Sequence, residues 1–305
     1  TIIQGGDIFL YIGKTSELAG FFSNNPVAYI DFVLHDKAAE DLLRAPRVLF
    51  FVKILVPFFI VCLNNFLLVS LYFSFFSFWA MFVLADTLNE KFSGTKVPAA
   101  VAFLFWPSLV FWTSGIMKET VAVTCIAWLV TVFLRFRSLS FGYKLTVIPV
   151  AYVLFYLKFY FAAAVLPLLL GSFLVDILAR KYSFWLKTIL GLGLGIGFLL
   201  FLSFFNEYLD PADFLRQVVI NHNGTGSYFA RVSANGLFVC FSELTPAIES
   251  FLWYAPKACW NGLFEPLPWN AVNMLQFIDG LLNVFFLALA VSSITYFSLK
   301  KHYKK

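Results

Sequence analysis

Charge is scarce in this chain: Asp, Glu, Lys and Arg make up 13% of its 305 residues, about half the share of a soluble domain. Too little polar surface is left to face water on all sides, which excludes an ordinary soluble globular domain. Histidine is rarer still. His35, His222 and His302 stand far apart and the four cysteines form no Cys-x-x-Cys pair, so neither residue type has the spacing of a dedicated zinc site. No apolar stretch alternates with period 2, which argues against a transmembrane β-barrel. No basic stripe is concentrated on one soluble segment, so the net charge of +5 gives no nucleic-acid reading.

What fills the chain is apolar bulk: 61% hydrophobic residues, 20% aromatic, 40 Phe and a mean hydropathy of +0.83. This composition predicts a lipid bilayer as solvent, in which backbone polar groups are satisfied only in helices or closed barrels. The expected fold class is therefore all-α, a polytopic transmembrane helical bundle with juxtamembrane helices and outer-face loops. Spans are expected near 66–86, 98–114, 117–134, 145–157, 159–178, 188–205 and 272–299, each bounded by charge, Pro or Gly. The stretch 48–63 is interrupted by Lys53 and Pro57 and reads as an interfacial or re-entrant helix, with an ordinary crossing as the other reading. Gly191, Gly193, Gly195 and Gly197 follow no strand; their spacing is that of small residues between packed membrane helices.

Positive charge orients these spans. The connections 87–97, 135–144 and 179–187 and the tail 300–305 carry more than half of the 22 Lys and Arg, and alternate so as to share one face. The positive-inside rule makes that face cytoplasmic, as in a multi-pass protein of a bacterial inner membrane with its C-terminus inside. Residues 1–47 then form an outer-face segment with juxtamembrane helices and 48–205 the helical bundle. Residues 206–271 form a second outer cap, and 272–305 the final helix and basic tail. The chain opens at Thr1 with no basic, apolar and small-residue leader, which reads as a fragment or processed product without an upstream helix.

Candidate chemistry lies where polar residues interrupt the apolar chain. Gly5-Gly6-Asp7-Ile8-Phe9-Leu10-Tyr11 sets a carboxylate beside two flexible glycines, so Asp7 reads as a general base or as a solvated loop acid. Around Thr113-Ser114-Gly115-Ile116-Met117-Lys118-Glu119 one span ends and another begins with a charged pair. Glu119 there is either a helix-capping acid or a site acid, and Lys118 either snorkels or meets a phosphate. Lys158 sits between two apolar stretches, where it can reach a lipid phosphate. In the late loop, His222 belongs to the hydrogen-bonding run Asn221-His222-Asn223-Gly224-Thr225, flanked by Arg216 and Arg231, whose forked guanidinium groups suit phosphate. A solvated turn is the other reading, and Asn223-Gly224-Thr225 also matches a glycosylation acceptor. Cys240 and Cys259 share this loop and suit a disulfide in an oxidising compartment. Asp279, inside the final span, is an intramembrane carboxylate.

Gly6-Asp7 with Tyr11 in one outer segment, Glu119 in the next outer turn, basic cytoplasmic connections and a long late outer loop resemble the GT-C superfamily of polytopic glycosyltransferases. They are also similar to bacterial membrane proteins that polymerise surface polysaccharide. The resemblance implies a sugar donor carried on a polyprenyl phosphate and a glycan or lipid acceptor. It gives Asp7 the first-loop role of base or acceptor-orienting group, and Glu119 the second-loop acidic role. Tyr11, Lys118, Lys158, Arg216, Arg231 and His222 become candidates for holding substrate or its phosphate. No cofactor is required by this reading, although a divalent cation between Asp7 and Glu119 is compatible with it. The alternative is a transporter or lipid-linked glycan flippase, which would move solute without forming a covalent product.

Overall fold

The computed structural model describes residues 7–35, 46–178 and 241–302 except 242 and 272, with scattered positions between 186 and 224. Every regular element among the described residues is a helix, so the protein is all-α. The chain divides into two compact units, Thr1–Gly197 and Phe198–Lys305.

In the first unit α1 (Asp7–Asn24) and α2 (Pro26–His35) precede α3 (Pro46–Val61), and α4 (Phe66–Lys91) follows a turn in which Leu63 and Asn64 adopt positive φ. Asn65 starts α4 by accepting hydrogen bonds from the Leu67 and Leu68 amides, which a helix N-terminus otherwise leaves unpaired. Phe51, Val52, Leu55, Val56 and Phe59 of α3 are fully buried. They pack against α1 on one side and reach α4 and α9 on the other. The stretch 48–63 is thus a packed core helix of its unit.

The expected span 98–114 is not one helix. It comprises α5 (Lys96–Ala100), a π-turn (Val101–Phe105) and α6 (Pro107–Trp112). Pro107 disfavours a helical residue before it, and Trp106 is accordingly extended, with φ −69° and ψ 115°. After α6 come α7 (Lys118–Leu134), α8 (Phe141–Leu145), α9 (Val147–Leu157) and α10 (Phe159–Leu178). Of the expected span 188–205 only scattered positions up to Gly197 are among the described residues.

Among the described residues two helices are long and apolar enough to cross a membrane, α4 and the segment Gln276–Ser293. In α4 large aromatic side chains are left exposed while small and hydroxyl side chains share the packed face. Ser77, Ala80, Ala85 and Thr87 are buried together with Val69, Phe73, Met81 and Leu84, while Phe75, Phe78, Trp79 and Phe82 are exposed, and only 33% of its apolar window is covered. The facing helix α7 is also small-sided, with Thr120, Ala127 and Thr131 buried. Close backbone approach recurs where a Cβ at Gly171 of α10 would collide with the Gly191 backbone, so of the glycine run Gly191 has the expected packing role. Gly193 and Gly197 face open space and Gly195 lies outside the described residues.

The second unit contains α11 (Ile248–Phe264), a single 3₁₀ turn (Pro268–Asn270) and α12 (Met274–His302). Gly280 lets the Leu267–Pro268 backbone lie against α12: a Cβ there would sit 2.6 Å from the Pro268 nitrogen. Asn283 donates to the Pro266 carbonyl at 3.1 Å and ties the same segments together.

Candidate functional site

The turn between α6 and α7 gathers most of the charged candidates of the first unit. Thr113 ends α6 by donating its hydroxyl to the Leu109 carbonyl at 2.8 Å. Gly115 then takes φ +88°, a conformation that favours glycine, and its amide donates to Ser74 Oγ at 2.8 Å. Ile116 is fully buried in the core shared by α1, α3, α4 and α9, which pins the turn in place. Lys118 and Glu119 follow in the first turn of α7, where the electropositive helix end favours the carboxylate.

Lys158 reaches this turn from the junction of α9 and α10. Its ammonium donates to Glu119 Oε1 at 2.5 Å, with side chains 18% and 40% exposed respectively. Burial alone would lower the Lys158 pKa. The Glu119 carboxylate and the Tyr160 hydroxyl outweigh that effect and hold it above the ordinary 10.5, so Lys158 is a permanent cation near neutral pH. On the other side of Glu119, the Lys118 ammonium lies 4.7 Å from the Tyr11 ring centroid. Tyr11 is itself buried, edge-on to Phe51 at 5.3 Å.

Tyr11, Lys118, Glu119 and Lys158 thus converge from α1, α7 and the α9–α10 junction into one cluster with two ammonium groups and one carboxylate. Asp7 is the first residue of α1, one helical turn before Tyr11; its side chain lies outside the described residues. Glu119 is engaged by Lys158, and no group of three or more His, Cys, Asp or Glu among the described residues could hold a metal. Of the two acids expected to share a divalent cation, only Glu119 has a described side chain.

The remaining candidates belong to the second unit. Arg216 is exposed, and Arg231 lies outside the described residues. His222 Nε2 accepts the Phe241 amide at 3.0 Å, and its ring stacks on Phe241 at 5.4 Å. Burial holds its pKa below the ordinary value, so it is a neutral acceptor tying two segments together. Cys259 is a free, exposed thiol, and Cys240 lies outside the described residues. Asp279 is half-buried on α12.

Sequence reasoning missed a groove of about 620 Å³ lined by Tyr29, Phe50, Lys53, Tyr152 and Tyr156 among others. Tyr152 and Tyr156 are one turn apart on α9, with ring centroids 5.1 Å from each other, and Tyr156 precedes Lys158 by two residues. Tyr29 donates to the Lys53 carbonyl at 3.1 Å, and Lys53 donates to the Val33 carbonyl at 2.8 Å. The four-residue spacing of the two α9 tyrosines was the available signal, since it sets both on one helix face. Ser74 was also missed. Ser70, Ser74 and Ser77 recur at helical spacing through a Phe-rich helix and mark its packed side.

No protein-family model, curated protein or solved structure matches the chain.

Proposed function

We propose that this chain is an integral membrane glycosyltransferase or polysaccharide polymerase, taking a sugar from a polyprenyl-phosphate donor at the Tyr11–Lys118–Glu119–Lys158 cluster. A membrane setting is supported by α4, whose Phe75, Phe78, Trp79 and Phe82 are exposed while Ser77, Ala80, Ala85 and Thr87 share the packed face with Val69, Phe73, Met81 and Leu84. A core helix of a soluble protein would be mostly covered, whereas packing through small residues is characteristic of helices in lipid. The seven spans and the outer placement of residues 1–47 and 206–271 belong to this same proposal.

The single observation that carries the reaction class is the placement of two lysines at the head of α7, Lys158 bonded to Glu119 and Lys118 over the Tyr11 ring. Two ammonium groups at the head of α7 can compensate the charge of an anionic leaving group. The tyrosine-lined groove between α3 and α9 offers aromatic faces and hydroxyls of the kind that contact sugar rings. In the proposed step Asp7 takes the proton of the acceptor hydroxyl as the acceptor oxygen bonds to the anomeric carbon. The bond from that carbon to the phosphate oxygen breaks, and the phosphate departs with the electron pair, compensated by Lys118 and Lys158.

The test is glycan transfer in proteoliposomes with polyprenyl-phosphate sugar, comparing the wild-type chain with Asp7→Asn. Product from the wild type and a loss of about 10²-fold or more in the variant, within the usual range for a general base, are expected. Full activity of a normally inserted Asp7→Asn protein removes the proposed base, and lipid movement without product favours the flippase reading.

A further inference from the structure

A second cavity, of about 500 Å³, opens where α4 and α7 end and α8 begins. Lys91, Arg137 and Lys144 line it together with Phe133, Phe136 and Phe173, and no carboxylate is among its described lining residues. The carboxylates nearest in sequence are taken. Arg135 binds Asp86 at 3.0 Å and Glu90 at 2.7 Å, which holds both acids against an arginine that is not among the described residues lining the cavity. Lys91, Arg137 and Lys144 have no acidic partner, although a helix of this apolar protein supplies each or lies beside it. The macrodipole favours Lys91 and Lys144, each in the last turn of its helix. It does not account for three cations from three segments converging on one hollow. The walls are aromatic: Phe136 packs edge-on to Phe173 at 4.8 Å, and the Lys144 ammonium lies 4.9 Å from the Phe136 ring centroid.

We propose that this cavity binds the headgroup of an anionic phospholipid, with Lys91, Arg137 and Lys144 holding the phosphate and the three phenylalanines lying against the glycerol and first acyl carbons. A phosphate needs cationic, forked and point-charge donors, which Arg and the two Lys supply. The aromatic walls give a purely inorganic anion nothing, but they suit an amphiphile whose tail continues into lipid. Basic pockets among membrane helices at the positively charged side are the expected setting for such headgroups. The site is separate from the cluster at the head of α7, and none of its residues belongs to the proposed glycosyl-transfer machinery.

The experiment uses the purified full chain in mild detergent, with retained lipid measured by native mass spectrometry. Phosphatidylglycerol, phosphatidylcholine and inorganic phosphate are the probes. Phosphatidylglycerol is expected to be retained about tenfold better than phosphatidylcholine. An Arg137→Gln/Lys144→Gln protein is expected to lose about tenfold in phosphatidylglycerol affinity, the effect of losing charge-assisted bonds. Inorganic phosphate is expected to compete only far above the lipid concentration. Equal retention of the two lipids, unchanged affinity in the double variant, or inorganic phosphate binding as tightly as lipid would each overturn the proposal. Should the double variant misfold, Lys91→Gln at an exposed position is the second probe. A loss of about threefold at an unchanged melting temperature supports the site, and no loss overturns it.

Discussion

Lys158 and Glu119, 39 residues apart in the chain, meet at 2.5 Å and lock the α9–α10 junction to the head of α7. The pair is half-withdrawn from water, so its strength lies between that of an exposed pair and that of a buried one. Glu119→Gln leaves Lys158 without a counter-charge and is expected to destabilise the protein by about 1–2 kcal/mol. The double variant Glu119→Gln/Lys158→Met should recover part of that loss. Melting of the four proteins in a double-mutant cycle measures the coupling, and additive effects would show that the contact contributes nothing.

The same pair makes a pH statement. The Lys158 pKa is raised in the folded state, so its stabilisation is fully present below the unfolded lysine value of 10.5 and is lost as pH climbs through the higher folded value. Stability attributable to Lys158 should therefore be flat through neutral pH and fall only above about pH 10.5. The wild-type melting temperature, compared with that of Lys158→Met, is expected to converge on the variant's in strong alkali. A gap that closes between pH 6 and 8 would contradict the assignment.

Gly115 holds the turn that presents Lys118 and Glu119, at φ +88° and with open space around its Cβ position. Gly115→Ala meets no steric neighbour, so its whole effect is backbone strain of about 1–2 kcal/mol. A lowered melting temperature with unaltered helicity by circular dichroism is the expected result. Ser74→Ala, which removes the acceptor for the Gly115 amide, should cost about 1 kcal/mol at the same turn.

The two faces of α4 respond oppositely to substitution. Ser77 is buried against neighbouring helices and Phe78 beside it is exposed. Ser77→Leu overpacks the interface and is expected to destabilise by about 1–3 kcal/mol. Phe78→Leu should shift stability by less than about 0.5 kcal/mol in lipid or detergent. Thermal unfolding of the two purified variants separates the faces, and a reversed order would contradict the outward assignment of the aromatic residues.

Composition made the helical class legible, because sparse charge and long apolar runs leave few alternatives. Local breaks were partly legible. Pro107 stands in plain sight within 98–114, yet the apolar run around it was strong enough to read as one span. Lys118, Glu119, Lys158 and Tyr11 were each visible as polar residues at the edges of apolar stretches. Their meeting was not, since the partners of Glu119 and Tyr11 are decided by how α1, α7 and α9 pack. The α9 tyrosines and the Ser70–Ser74–Ser77 stripe were legible by helical spacing, but hydrophobicity averaged along a span hides which face each residue occupies. The neutral, bonded state of His222 follows from Phe241 approaching it, a tertiary fact that no local pattern encodes.

The most direct test of the proposed donor site is binding of radiolabelled polyprenyl phosphate to the chain in nanodiscs, with polyprenol as the uncharged control. The wild type is expected to prefer the phosphate, and Lys118→Gln, which spares the Lys158–Glu119 pair, to lose about tenfold in affinity for it alone. Equal binding of polyprenol and polyprenyl phosphate, or an affinity untouched by Lys118→Gln, would contradict a phosphate site at the head of α7.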